Sequence, residues 1–212
     1  MPAQPGVRLP APALSRRERR KREVHDRILH AAVQRFERQG VDHTTVDDIC
    51  AAADVAQKTF FNHFATRQDL VREIAAAFLA DLLAVVEEIR RTPGPTIDRM
   101  ERLFARIAAD TEAAGPLRRQ LVMEVIRLVH DDQADAEHNR RLHDAFGGLI
   151  RDGVRAGDVT RAHSVAVLTE IVVGAFYVLM LNWLGVEGYP MRARATGVVR
   201  ALGDVLAAGA RA

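Results

Sequence analysis

Apolar residues recur at intervals of three and four along most of the chain, in runs separated by Gly and Pro. That spacing predicts amphipathic α-helices. The first run extends from about Arg17 to Gln39 and puts Ile28, Leu29, Ala32, Val33 and Phe36 on one face before Gly40. The second carries Val46, Ile49, Cys50 and Ala53. Thr44 stands three before Asp47, and Thr45 three before Asp48; either pair suits a capped helix N-terminus. A third, short helix is predicted from about Gln57 to His63. A fourth follows from about Arg67 to Arg91, capped by Thr66 and broken at Thr92-Pro93-Gly94-Pro95. The remaining runs read as helices over about Thr96–Ala114, Pro116–His130, Ala134–Ala156, Ala162–Leu184 and Met191–Ala208. Gly115-Pro116, Gly157-Asp158 and Gly185 to Pro190 supply the breaks. No stretch alternates as a strand does, so the predicted class is all-α. Residues 1–14, rich in Pro and Ala, read as a disordered tail.

Helices two and three are joined by the four residues Ala53-Asp54-Val55-Ala56. Asp54 falls where such a turn wants a left-handed residue, and Asp is among the few alternatives to Gly there. Phe60 and Phe64 lie one turn apart and should face inward over Val55. Gln57, Lys58, Phe61, Asn62 and His63 are left to face outward or flank. This is the spacing of a helix-turn-helix, whose second helix enters a DNA major groove. Gln and Asn can make paired hydrogen bonds to adenine, Lys can reach guanine or phosphate, and His can donate to either.

The formal net charge of +2 does not announce a nucleic-acid partner, but its distribution is uneven. Residues 1–70 hold 12 Lys/Arg against 9 Asp/Glu, and from Arg16 to Arg22 six of seven positions are basic, Glu18 being the exception. A short basic arm on a near-neutral body suits local contact with phosphates. The single cysteine, Cys50, allows no intrachain disulfide and fits a reducing, cytoplasmic setting. Pro2, Pro5, Pro10 and Pro12 interrupt any apolar signal core. Val165 to Leu184 is long and apolar but contains Glu170 and Asn182, which favours a buried helix over a membrane span.

The stretch Ile28 to Leu70, ILHAAVQRFERQGVDHTTVDDICAAADVAQKTFFNHFATRQDL, resembles the DNA-binding domain of the TetR family. The match lies in an apolar first helix ending in Gly and a Thr-Thr-Val-x-x-Ile entry to helix two. An Ala-x-Val turn, a Thr-Phe-Phe-x-His-Phe recognition helix and a Thr-Arg-x-x-Leu entry to helix four complete it. Four positions depart from the family pattern. Asp54 replaces Gly, Ala56 replaces a capping Ser/Thr, Phe61 replaces Tyr, and Arg67 stands where Lys is usual. Losing the cap should cost about 1 kcal/mol. Phe61 offers a sugar or a thymine methyl an apolar contact in place of a hydroxyl bond. Arg67 keeps a cation that reaches phosphate.

The resemblance implies two regions: a helix-turn-helix DNA-binding domain over 15–66 and a helical effector-binding and dimerisation domain over 67–212. Thr44, Thr45, Lys58, Phe61 and Arg67 would position the DNA backbone, and Gln57, Asn62 and His63 would read bases. Arg16, Arg17, Arg19, Arg20, Lys21 and Arg22 would follow a minor groove or the phosphates. It further implies a homodimer through the last two helices and a cavity among helices four to eight. Phe78, Phe104, Ile107, Met123, Ile126, Phe146, Ile150 and Tyr177 are the candidate lining, with Arg127, His130 or Tyr177 fixing a polar end. The implied function is a repressor of operator DNA, released by a small lipophilic ligand through a tilt of helix four. An activator, a ligand-independent DNA binder, and a helical carrier or enzyme without DNA binding remain alternatives.

Other chemistry finds little support. His138 and His143 are five apart, which does not stack them on one helix face, and no His-x3-His or Cys-rich spacing provides a metal site. No Gly-rich phosphate loop, nucleophile elbow or paired-carboxylate signature is present, so no cofactor, metal or catalytic residue is expected.

Overall fold

A computed structural model describes residues 15–130 and 136–207. The expected tail, 1–14, lies outside the described residues. The chain divides into two compact units, residues 1–65 and 66–212.

The first unit holds α1 (Arg16–Gln39), α2 (Val46–Ala53) and α3 (Gln57–Phe61). Ser15 caps α1 in a reciprocal box with Glu18, and the chain leaves at Gly40, whose φ of 83° favours glycine. Of the two possible caps for α2, Thr45 with Asp48 forms the box. The Thr45 hydroxyl donates to Asp48 at 2.7 Å, and the Asp48 amide donates back to that hydroxyl oxygen at 3.1 Å. The Gln39 amide donates to the His43 carbonyl at 3.1 Å, tying the end of α1 to the loop before α2. Ile28, Ala32 and Phe36 from α1 close over Ile49, Cys50 and Ala53 from α2, with Phe60 and Phe64 completing the core. Burial pushes the Cys50 thiol pKa up, as does nearby Asp47.

The second unit holds α4 (Arg67–Arg90), α5 (Thr96–Glu112), α6 (Pro116–His130), α7 (Ala136–Ala156), α8 (Val165–Gly185) and α9 (Met191–Leu206). Here α5 packs chiefly on α9, α6 on α4, and α7 on α8. The α5 stripe Met100, Leu103, Phe104, Ile107, Ala108 and Thr111 has the spacing that buries one helix face. The start of α8 corrects the sequence reading. Ser164 caps the helix through the Val167 amide, so residues 162–164 stay outside it.

Polar contacts fix the helix ends. Asp158 accepts from the Thr96 amide at 2.8 Å and from its hydroxyl at 2.9 Å, completing the first turn of α5. Gly153 makes this approach possible: a Cβ there would crowd Val159, Thr96 and Asp158. Arg119 donates to the Trp183 and Leu184 carbonyls at 2.7 and 3.0 Å, closing the C-terminus of α8. Among the described residues no strand forms; one isolated bridge pairs Val159 with Ala207.

α8 is long and apolar enough to cross a membrane by length and composition, yet only 39% of its most apolar window is buried within the protomer. Val167, Ile171, Val178 and Leu181 remain exposed along one stripe, at spacings of three, four and seven. Val205 of α9 is also exposed.

Candidate nucleic-acid interface and apolar cavity

The turn between α2 and α3 adopts the expected geometry. Asp54 sits in the left-handed region at φ 49°, ψ 56° and lets α3 start three residues later. Ala56 caps α3 with no side-chain bond, as its methyl group dictates. Phe60 and Phe64 are fully buried or nearly so, with ring centroids 5.6 Å apart. That inward anchor turns Lys58, Phe61 and Asn62 outward; Phe61 keeps 49% of its surface exposed. The helix is shorter than predicted, ending at Phe61, so Asn62 and His63 occupy the turn that closes it.

Several expected contact residues are placed differently. Thr44 is 2% exposed and its hydroxyl donates to the Gly40 carbonyl at 2.8 Å. It secures the loop before α2 and presents no hydroxyl at the surface, which corrects its expected role. Thr45 is exposed but serves the cap. The Gln57 amide donates to the Asp47 carboxylate, so base reading by Gln57 requires that contact to open. Arg16, Arg17, Arg19, Arg20, Lys21 and Arg22 are helical, as the helix predicted from about Arg17 requires. They occupy the first two turns of α1, where helical spacing spreads them around the axis. Arg17 and Lys21 share a groove with Ser15, Glu18, Asn62 and His63. His25, which sequence reasoning did not single out, stacks on Phe64 at 4.7 Å and lies 5.6 Å from His63. Arg67 lies in the first turn of α4 and is partly exposed.

In the second unit, α4 to α8 enclose a cavity of about 200 Å³. Of the residues nominated from sequence, Phe78, Ile107, Ile126 and Tyr177 line it. Phe104, Phe146 and Ile150 do not: they are buried in the surrounding core. Each lies on the correct helix face but at the wrong height. The cavity is level with Arg106 to Thr111 of α5 and with Leu142 of α7, so Phe104 falls just short of it and Phe146 and Ile150 lie about one and two turns away. Met123 is wrong in face, being 38% exposed beside the lining residue Val122. The Arg127 and His130 side chains lie outside the described residues.

The lining that sequence reasoning missed includes Leu82, Val85, Val125, Phe176 and Met180. It also includes Arg118, whose guanidinium sits 5.3 Å from the Phe78 ring centre and donates to the Asp110 carbonyl at 2.9 Å. Asp81, Arg106 and Asp110 complete a charged rim, in which Arg106 and Asp110 pair at 3.4 Å. Tyr177 brings the phenol among apolar groups, and burial pushes its pKa up to about 12. Among the described residues no group of three or more His, Cys, Asp or Glu is placed to hold a metal.

An outward-facing short helix after a left-handed turn, set on an aromatic core, defines the chain as a helix-turn-helix DNA-binding regulator. Comparison places it more closely. Residues 28–74 match the family model "Bacterial regulatory proteins, tetR family". The chain is 30% identical to the transcriptional regulator TcmR of Streptomyces glaucescens over 74% of its own length and 72% of that protein's. It is 23% identical to the transcriptional repressor DhaR of Mycobacterium sp. (strain GP1), over 72% and 78%. The fold matches that of FadR from Bacillus subtilis, solved in complex with stearoyl-CoA, with TM-score 0.67, 15% identity and coverage of 86% and 99%. The protein belongs to the TetR family of transcriptional regulators.

Proposed function

We propose that the protein represses transcription as a homodimer and leaves its operator when a compact lipophilic ligand fills the cavity. The cavity among α4 to α8 carries this reading. Its walls inside the charged rim are mainly aliphatic and aromatic, so an apolar molecule gains by leaving water. Its about 200 Å³ falls below the ~300–1,000 Å³ usual for ligand pockets, which favours a compact ligand over a long acyl chain. Arg118 has N–H donors beyond the one given to Asp110, and the Tyr177 phenol adds a second polar handle. Release requires the ligand to favour the form that does not bind DNA. α4 is the natural carrier, because it lines the cavity through Phe78 to Val85 and is joined in sequence to the helix-turn-helix.

The exposed stripe on α8 supports dimerisation. Val178 and Leu181 are 57% and 50% exposed, an unusual place for large aliphatic side chains in a row. Pairing two copies through α8 and α9 would cover them and present two recognition helices to successive major grooves, about 34–36 Å apart. The same covering accounts for a strongly apolar helix without a membrane.

The test is release of a DNA sequence enriched from random duplexes, using a panel of compact lipophiles. At least one should release the wild type. Val122→Trp, which fills the cavity, should keep DNA binding and ignore that compound. If no lipophile alters DNA affinity, or if Val122→Trp responds as the wild type does, the proposal fails.

A further inference from the structure

The groove between the start of α1 and the end of α3 has features that base reading does not explain. Its walls are Ser15, Arg17, Glu18 and Lys21 from α1 and Asn62 and His63 from the closing turn. It continues past Lys21 into a second hollow bordered by Arg22, His25 and His63. Ser15 is the N-cap of a 24-residue helix, so the positive end of the α1 dipole borders the groove. One carboxylate is present, that of Glu18. It accepts from the Ser15 amide at 2.8 Å, and the Ser15 side chain, then that amide, hold its pKa below the usual carboxylate range. The local balance is therefore cationic, from Arg17, Lys21 and Arg22 against Glu18.

His63 is packed into this cationic wall. Its ring lies 5.6 Å from the His25 ring, which is itself stacked on Phe64. Partial burial, then His25 and Lys21, hold the His63 pKa below its ordinary 6.5. The free protein therefore favours the neutral imidazole, in a groove whose other charged side chains are mostly cationic.

We propose that this groove seats one backbone phosphate of duplex DNA between Arg17, Lys21 and His63, and that seating it places a proton on His63. The proton comes from solvent and binds an imidazole nitrogen, which then donates to a phosphate oxygen. The phosphate supplies the negative charge that turns repulsion among Lys21, His25 and His63 into attraction. His63 accordingly anchors the backbone and does not read a base. The inference rests on the DNA-binding assignment above and is independent of the effector.

Linkage fixes the sign. The bound-state pKa of His63 exceeds the free-state value, so affinity rises as pH falls between the two, by up to one proton per protomer. Affinity is highest below the free-state value and loses the gain above the bound-state value. The charged and titratable groups facing His63 are Arg17, Glu18, Lys21, Arg22 and His25, all on α1.

The experiment measures affinity for a random-sequence duplex of about 25 base pairs, because a phosphate seat is independent of sequence. Titrations at low salt between pH 5.5 and 8 should show tighter wild-type binding at low pH, approaching tenfold per pH unit per protomer at the steepest point. His63→Gln, which keeps a hydrogen-bonding side chain without the titration, should flatten the profile. His25→Gln should move the wild-type profile to higher pH by removing a repelling neighbour. Lys21→Ala should lower the salt slope by about one while keeping the pH dependence. A flat wild-type profile, or an unchanged one in His63→Gln, overturns the proton-coupled seat and leaves the DNA assignment standing. Wild-type protein that binds no duplex at any pH overturns both.

Discussion

The two units commit their chemistry in opposite ways. The first presents functional groups outward on a scaffold fixed by a few buried rings, so Lys58, Phe61 and Asn62 are set individually by where Phe60 and Phe64 point. The second builds its candidate site inward, from the gap that five helices leave between them. An outward site tolerates change in one contact at a time. An inward site depends on the level at which every helix passes the gap. The difference suggests where mutation will be read as lost specificity and where as lost response.

The largest expected effect separates the units by their cores. Phe60→Ala removes a wholly buried ring from the small unit and should cost about 3–5 kcal/mol. DNA binding should disappear while much of the helical signal survives, because the residue 66–212 core does not contain Phe60. Circular dichroism melts with DNA titration check this. One cooperative loss of all helix would break the comparison between units.

Gly153→Ala comes next, in the second unit. The added Cβ would lie 2.7 Å from the Asp158 carboxylate and closer still to Val159 and Thr96. Overpacking of this kind costs about 1–3 kcal/mol. The melting temperature should fall while DNA sequence preference is unchanged.

Two substitutions sharpen the outward site. Asn62→Ala should cost about 1–3 kcal/mol on the preferred sequence and relax the preference at one position. Lys58→Ala should weaken binding evenly across sequences and lower the salt slope by about one. Site selection with each variant distinguishes the two roles, and identical motifs for wild type and Asn62→Ala would remove Asn62 from base reading. Ala56→Ser should restore the missing cap and stabilise the first unit by about 1 kcal/mol, seen in chemical denaturation.

The smallest effect is a pH dependence shared by both units. Hydrogen bonds from Thr45 and Thr66 hold Asp48 and Asp69 below the ordinary carboxylate value of 3.8. Their contribution is present above the unfolded value and lost as pH falls through the depressed folded values. Asp69→Asn should lessen the acid sensitivity of thermal unfolding.

Legibility in the sequence follows the same division. Nearly all helices were readable, because Gly and Pro mark their ends and apolar spacing marks their faces. The left-handed Asp54, the uncapped Ala56 and the inward Phe60 and Phe64 followed from local rules about turns and caps. Hidden from the sequence was whatever depends on a second element. Thr44 and Thr45 are adjacent and chemically alike, yet one bonds Gly40 and the other caps α2. Periodicity put Phe104, Phe146 and Ile150 on inward faces but could not give their height along the axis. Arg118 carried no sequence signal, because its role comes from Phe78 on another helix.

The most direct test of the central claim is selection of binding sites from random duplex DNA with purified full-length protein, followed by titration of the best sequence across salt. A dimeric TetR-family repressor predicts a palindrome with half-sites one helical turn, about 10 base pairs, or a multiple apart, and affinity that falls steeply with salt. Folded, dimeric protein that enriches no sequence and shows a salt slope near zero would contradict it.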